Sequence, residues 1–270
     1  MTLVFDIGGT NIRAAMVSKT KIENRLQVPT PKARKELIEK IIDIVSKFPK
    51  QKTINFSVPG FEYKGKIQNS PNLDIEKMPL RKILEQKLRT KINLENDAKC
   101  AGLAELHFGE GKNLTNFVFL TLGTGIGGAI IINKKLYKGF GGAGEVGEMI
   151  INREKRLEHL ASGTAVKTIS KEFGFREISN SELKNLASRG NQKALAIYKK
   201  IGHYLGIGFS NIAYILSPEA IILGGGFSSV KYIYPEAKNS FNKHFKTEPK
   251  PKILKSKFGD DAGLIGAALL

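Results

Sequence analysis

The chain has 270 residues, 41% apolar and 25% charged, with a formal net charge of +18 at pH 7; this fits a globular protein of one large or two ordinary domains. Its single cysteine, Cys100, excludes an intramolecular disulfide and, alone, a Cys-type zinc site. The opening "MTLVFDIGGT" has no basic region leading into an apolar stretch, and "LAIYKKIGHYLGIGFSNIAYIL" carries Lys199, Lys200 and His203 in its middle, which speaks against a secretory signal and a membrane span and points to the cytoplasm. The positive residues are mostly lysines spread along the chain, and the densest run, "NKHFKTEPKPKILKSKF", is broken by prolines. That is a solvated surface and not a nucleic-acid face, although it can speed the arrival of an anionic substrate.

In chain order, "TLVFDIGG" is a short apolar strand ending in a glycine turn, "IRAAMVSK" a second strand and "NRLQVPT" a third. "ARKELIEKIIDIVSKF" has Leu37, Ile38, Ile41, Ile42, Ile44, Val45 and Phe48 at helical spacing. "TINFSVPG" is a strand closed by Pro-Gly, "LRKILEQKL" a helix, "KINLEND" a strand and "AKCAGLAELHFG" an alanine-rich packed helix. Then "NFVFLTLGTGIGGAIIINKKLYKG" repeats the opening pattern of strand, glycine turn and strand, followed by a third short strand. The repetition predicts a duplicated α/β unit in two lobes with a central cleft, where ligands commonly bind. Helices follow at about 160–174 and 191–216, then the strand "AIILGGG", a helix near 230–245, the strand "KILKS" and the terminal helix "AGLIGAALL". The expected division is a small lobe of residues 1–107 plus 259–270 and a large lobe of residues 108–258.

A glycine turn between strands exposes backbone N–H groups and makes a concavity for oxyanions, phosphate above all. "DIGGTN" adds Asp6, Thr10 and Asn11, "LGTGIGG" adds Thr124, and "LGGGFS" supplies Gly224, Gly225 and Gly226. None is a P-loop or a dinucleotide fingerprint, and one alone is weak; three in a duplicated frame favour a nucleotide's phosphates. "LENDAKCAG" puts Asn96 and Asp97 where a strand meets a helix, and these residues leave two readings of Asp97 open: a helix cap or a catalytic base facing the cleft. In "GGAGEVGEMIINREKRLEHLASG", Glu145, Glu148 and Glu158 surround a glycine-rich turn, which suits a polyhydroxyl ligand, a divalent metal or a solvated loop.

The segments "DIGGTNIRAAMV", "VPG" with "NSPNL", "ENDA", "LGTGIGGAII", "GGAGEVGE", "SPEAIILGGG" and "GDDAGLIGAALL" stand in the order and rough spacing of the ROK family, which the chain resembles from residue 3 to its last helix. That family comprises glucokinases, related sugar kinases and some transcriptional repressors on the actin-like ATPase (ribonuclease H-like) fold. The resemblance implies an ATP-dependent, cytoplasmic sugar kinase that uses Mg²⁺, with glucose as the default substrate. Fructose, mannose or an N-acetylhexosamine is the alternative, and a non-catalytic or regulatory protein the less favoured one. It implies that Asp6, Gly8, Gly9, Thr10 and Asn11 form the first phosphate loop, Asp6 also reaching Mg²⁺ through water. It assigns Gly123, Thr124 and Gly125 to the second loop and Gly224, Gly225 and Gly226 to the adenosine side. Asn96 and Asp97 match the sugar-binding pair, Asp97 as base; Glu145 and Glu158 match the glutamates that bind sugar hydroxyls, and Asn72 sits where the small lobe approaches the sugar. The partners implied are hexose and ATP, with no nucleic acid and no membrane, and the family often forms homodimers. A family repressor carries a DNA-binding segment ahead of the first loop, for which the residues before Asp6 leave no room.

Two departures stand out. The family's E-x-G-H histidine is Glu148 here, and "MIINREKRL" replaces its cysteine cluster. With all the ligands gone no structural zinc is expected, and Glu148 is left either to accept a sugar hydroxyl or to face solvent. His159 is expected at a helix start or surface, and Cys100 as a small buried apolar residue.

Overall fold

A computed structural model describes residues 1–70 and 73–270, so Asn72 lies outside the described residues. The chain forms two compact units: Met1–Lys112, Leu136–Ala143 and Asp260–Leu270 make the first, Asn113–Lys135 and Gly144–Gly259 the second.

In the first unit, β1 (Thr2–Ile7), β2 (Asn11–Ser18) and β3 (Lys21–Pro29) run as an antiparallel meander, followed by helix α1 (Arg34–Ser46). β4 (Thr53–Val58) lies parallel to β1 and leads into a small hairpin, β5 (Phe61–Tyr63) and β6 (Lys66–Gln68). Helix α2 (Leu80–Leu88) precedes β7 (Lys91–Asn96), which lies parallel to β4 and passes directly into helix α3 (Asp97–Phe108). The sheet order is β3-β2-β1-β4-β7. Side chains alternate between faces along a strand, so Leu3, Phe5 and Ile7 join Ile54, Phe56 and the apolar stripe of α1 on one side. Val4 faces the other way, onto Ala15, Val17, Cys100 of α3 and Leu264 of the C-terminal helix. This two-sided burial explains why "TLVFDI" is a continuous apolar run. The stacked rings of Phe5 and Phe56, 4.7 Å between centroids, pin β1 to β4.

The second unit repeats the plan. β8 (Phe117–Leu122) and β9 (Ile126–Ile132) are antiparallel, and β10 (Lys135–Tyr137) follows at the sheet edge. A 3-10 turn (Val146–Glu148) and a hairpin of β11 (Ile150–Asn152) and β12 (Lys155–Arg156) lead to helices α4 (Leu157–Ala161), α5 (Ala165–Glu172), α6 (Asn180–Ser188) and α7 (Gln192–Leu216). β13 (Ala220–Gly224), helix α8 (Tyr234–His244) and β14 (Lys252–Lys255) complete it, and helix α9 (Ala262–Ala267) returns to the first unit. The sheet order is β10-β9-β8-β13-β14, with β13 parallel to both β8 and β14. The order matches the first sheet position for position, as do the directions of β9, β8, β13 and β14, and the repeated opening pattern is a repeated unit. α7 packs its buried face, including Tyr198, Leu205 and Phe209, into the core beneath this sheet.

Three features differ from the sequence-based expectation. The helix expected over 160–174 is two, α4 and α5, because Gly163 and Thr164 turn aside to bond the second glycine turn. α6 was not foreseen; only Leu183 and Ala187 of it are buried, and a Ser179–Glu182 capping box starts it. Residues 136–143, expected in the large lobe, belong to the first unit, held there by side chains of β5, β7 and α3 described below. No helix of the described residues is long and apolar enough to cross a membrane.

Candidate active site

The turn between β1 and β2 holds its own carbonyls. Gly8 N–H bonds the Asn11 carbonyl at 2.9 Å, Thr30 Oγ1 donates to the Gly8 carbonyl at 2.7 Å, and Lys32 Nζ donates to the Gly9 carbonyl at 2.9 Å. In a planar trans peptide the next N–H points opposite to the carbonyl. Anchoring these two oxygens therefore turns the Gly9 and Thr10 N–H groups toward the other side of the loop. Thr10 is exposed there, and Asn11 is half-buried.

The turn between β8 and β9 is built alike. Gly163 N–H bonds the Gly123 carbonyl at 2.8 Å, and Thr164 holds the Thr124 carbonyl through both N–H, at 3.1 Å, and Oγ1, at 2.7 Å. The Thr124 and Gly125 N–H groups are turned away accordingly. A Cβ added at Gly123 meets nothing within 4 Å, nor does one at Gly226, so the fold itself does not demand glycine at either place. Gly225 is different. Its φ of +79° and the Leu122 carbonyl, 2.5 Å from where a Cβ would stand, require glycine for the close approach of β13's end to β8.

Asp6, the last residue but one of β1, is 6% exposed, and accepts from Ser57 Oγ at 2.8 Å and from Arg13 Nη2 at 2.5 Å. Arg13 lies directly opposite Asp6 in the β1–β2 register and also donates to the Asp260 carbonyl at 2.8 Å. Among the described residues no group of three or more His, Cys, Asp or Glu side chains could cage a metal ion. A single carboxylate beside a glycine turn nonetheless fits Mg²⁺, which keeps several waters and is commonly held by one or two carboxylates plus substrate phosphates.

At the β7–α3 junction the two readings of Asp97 separate. Asn96, 6% exposed, is the residue that caps α3, its Oδ1 accepting from Lys99 N–H at 3.1 Å while Nδ2 donates to the Gly60 carbonyl at 3.0 Å. Asp97 occupies the first helical position, and its side chain is exposed, with Oδ1 2.8 Å from the Ala98 nitrogen. The helix N-terminus favours negative charge at that place. Asn96 has therefore committed one lone pair and one proton of its amide to the fold, so only the remaining ones can meet a ligand.

The three glutamates have three environments. Glu158, on α4, accepts through Oε2 from Ile126 N–H at 2.8 Å, placing its carboxylate on the second glycine turn. A Cβ at Gly125 would stand 2.2 Å from the same oxygen. Glu145 stands at the start of the 3-10 turn and is half-buried. Glu148 is exposed, and its Oε2 lies 2.7 Å from Arg156 Nη1 of β12. The β11–β12 hairpin occupies the stretch where the cysteine cluster would be, turning through Arg153 and Glu154 at positive φ. His159 is exposed on α4, and Cys100 is fully buried. Burial, followed by the nearby carboxylates of Glu95, Asp6 and Asp97, pushes the Cys100 thiol well above its ordinary range.

Sequence reasoning passed over Ser57, Lys99, Lys138 and Arg156 and gave Arg13 no role. Arg13 was within reach, because residues seven apart across a short hairpin turn oppose each other, as Asp6 and Arg13 do. Lys99 and Lys138 act over more than forty residues and left no local signal.

The sequence model of the ROK family matches residues 2–270. An N-acetyl-D-glucosamine kinase from Haemophilus influenzae is 29% identical over 98% of this chain and 97% of its own. The crystal structure of a ROK family glucokinase from Streptomyces griseus in complex with glucose and AMPPNP superposes with a TM-score of 0.86 at 27% identity, over 99% of this chain and 97% of that one. The ROK hexokinase from Thermus thermophilus gives a TM-score of 0.87 at 27% identity, over 99% and 96%. With its duplicated sheet, its paired glycine turns and a family match over nearly its whole length, the chain belongs to the ROK family, as a sugar kinase on the actin-like ATPase fold.

Proposed function

We propose that this sugar kinase transfers the γ-phosphoryl group of ATP to a hexose hydroxyl, with glucose giving glucose 6-phosphate as the preferred reaction and Asp97 as the general base. The observation that carries the reading is the division of labour at the start of α3. Asn96 takes the capping role, and Asp97 follows at the first helical position with its side chain exposed, where a carboxylate is accessible to a sugar hydroxyl. Phosphoryl transfer asks a protein mainly for positioning and charge stabilisation. The N–H groups turned outward at Gly9–Thr10 and at Thr124–Gly125 supply donors for the donor's phosphate oxygens, with Thr10, Asn11 and Thr124 beside them. Gly224, Gly225 and Gly226 border the adenosine, and the open space over Gly226 suits that role. Mg²⁺, when bound, neutralises charge on the phosphates, and Asp6 would hold it through water. The sugar's hydroxyls are acceptors' work: Glu145 and Glu158 each offer carboxylate oxygens, and Asn96 the free part of its amide. Asn72 is assigned to the same sugar from the sequence alone. Asp97 then takes the proton of the attacking hydroxyl.

A second reading, N-acetylglucosamine as substrate, is favoured by the kinase for that sugar from Haemophilus influenzae and by Glu148. Where the family places a sugar-touching histidine, this chain has a side chain paired with Arg156, which alters the room and polarity beside the sugar. ADP release, coupled to a chromogenic readout, across glucose, fructose, mannose, N-acetylglucosamine and N-acetylmannosamine tests both. Sugar-dependent release with the highest kcat/KM for glucose is the expected result. A higher value for N-acetylglucosamine moves the assignment to that sugar, and no sugar-dependent release with any of them refutes the proposal.

A further inference from the structure

Residues 138–145, "KGFGGAGE", form a strap that ends on Glu145. The first unit grips the strap's early part with three side chains. Lys99, only 1% exposed, donates from Nζ to the Gly141 carbonyl, and its ammonium stands 5.7 Å from the centre of the Phe61 ring. Lys138 pairs at 2.5 Å with the buried carboxylate of Glu95, whose other oxygen accepts from the Asn96 N–H at 2.9 Å. The Phe61 ring lies against Gly141 and Gly142, where an added Cβ would come within 3.0 Å of it. Gly141 N–H closes the turn onto the Lys138 carbonyl at 2.7 Å.

A buried ammonium is unfavourable unless it is paired. A strap that only joined β10 to the next turn would need neither that charge nor the second lysine. Both anchors start from the β7–α3 junction: Glu95 is two residues before Asp97 and Lys99 two residues after it, and Gly141 is four residues before Glu145. We propose that Lys99, together with Lys138, is a positioning element that ties the strap leading into Glu145 to the segment that carries Asp97. The proposal rests on the roles given above to Asp97 and Glu145.

The test is Lys99→Met in the full chain, which keeps the stem's volume but removes the donor to Gly141. Two readouts are needed. Hydrogen–deuterium exchange of peptides over 136–145 should quicken about tenfold or more, as expected for losing a charged hydrogen bond, while peptides of β1 and α7 stay unchanged. KM for the sugar should rise by a similar factor, about tenfold, with KM for ATP within about twofold of wild type. Lys138→Ala, at the exposed end, should shift both readouts the same way, and it carries the test if Lys99→Met does not fold. Unchanged exchange in the strap overturns the clasp whether or not the enzyme is active. A loosened strap with an unchanged sugar KM overturns the positioning role. Wild-type protein without sugar-dependent turnover would sink the functional reading instead, and the exchange measurement would still decide the clasp.

Discussion

Replacing Gly125 by alanine tests how closely the second glycine turn and Glu158 depend on each other. Gly125 does not sit at positive φ, so alanine is permitted by the backbone; what it meets is the carboxylate of Glu158, 2.2 Å from the new Cβ. Ordinary contacts of a Cβ begin near 3.4 Å, so Oε2 has to retreat by more than 1 Å. That breaks its 2.8 Å bond from Ile126 N–H. A hydrogen bond to a charged group contributes about 1.5–3 kcal/mol, which corresponds to roughly ten- to a hundredfold in affinity. The yielding atom is the far end of a flexible side chain, so the fold should lose little. Steady-state kinetics on Gly125→Ala, alongside Glu158→Gln, should show the sugar KM raised by that factor in both variants and Tm within a few degrees of wild type. A sugar KM that stays within about twofold while only ATP binding weakens would refute the reasoning, because Glu158 would then have no part in holding the sugar.

Purified protein should hold well under one zinc per chain, and chelation should leave Tm unchanged, since a tetrahedral site without its cysteines has no ligands; stoichiometric zinc contradicts this. Cys100 should resist alkylation in the native state at alkaline pH and label fully once denatured, because burial holds the thiol protonated well above its ordinary range; rapid labelling of native protein would show that α3 is not packed as described. Gly266→Ala should lower the urea midpoint sharply. Its Cβ would fall 1.6 Å from the Cys100 carbonyl, forcing α9 off α3 at a cost of about 1–3 kcal/mol or more, and an unchanged midpoint would refute that contact.

What could be read from the sequence followed a simple rule: local patterns were legible and distant partnerships were not. The alternation of "TLVFDI" and "NFVFLTL" around glycine turns revealed the duplication, because it depends only on neighbours along the chain. Which of Asn96 and Asp97 caps α3 stayed open, since either side chain can accept from the first turn; the cap is Asn96, which accepts from Lys99 N–H while its amide is fixed by Gly60, thirty-six residues away. The split between α4 and α5 was hidden for the same reason: Gly163 leaves the helix to bond Gly123, forty residues earlier. α6 was missed because a surface helix with two buried side chains has almost no apolar periodicity to read. The three glutamates stand out in the sequence because they lie close together around a glycine turn, but the ion pair of Glu148 needed the hairpin that brings Arg156 back beside it.

The central claim is that the carboxylate of Asp97 takes the sugar hydroxyl's proton, and Asp97→Asn tests it most directly. The amide keeps the side chain's size and the start of α3, which Asn96 caps, so Tm and sugar affinity should stay near wild type. Loss of a general base should lower kcat by about a hundredfold to ten-thousandfold. A variant that retains more than about a tenth of wild-type kcat, against that expected loss, would show that the proton goes elsewhere.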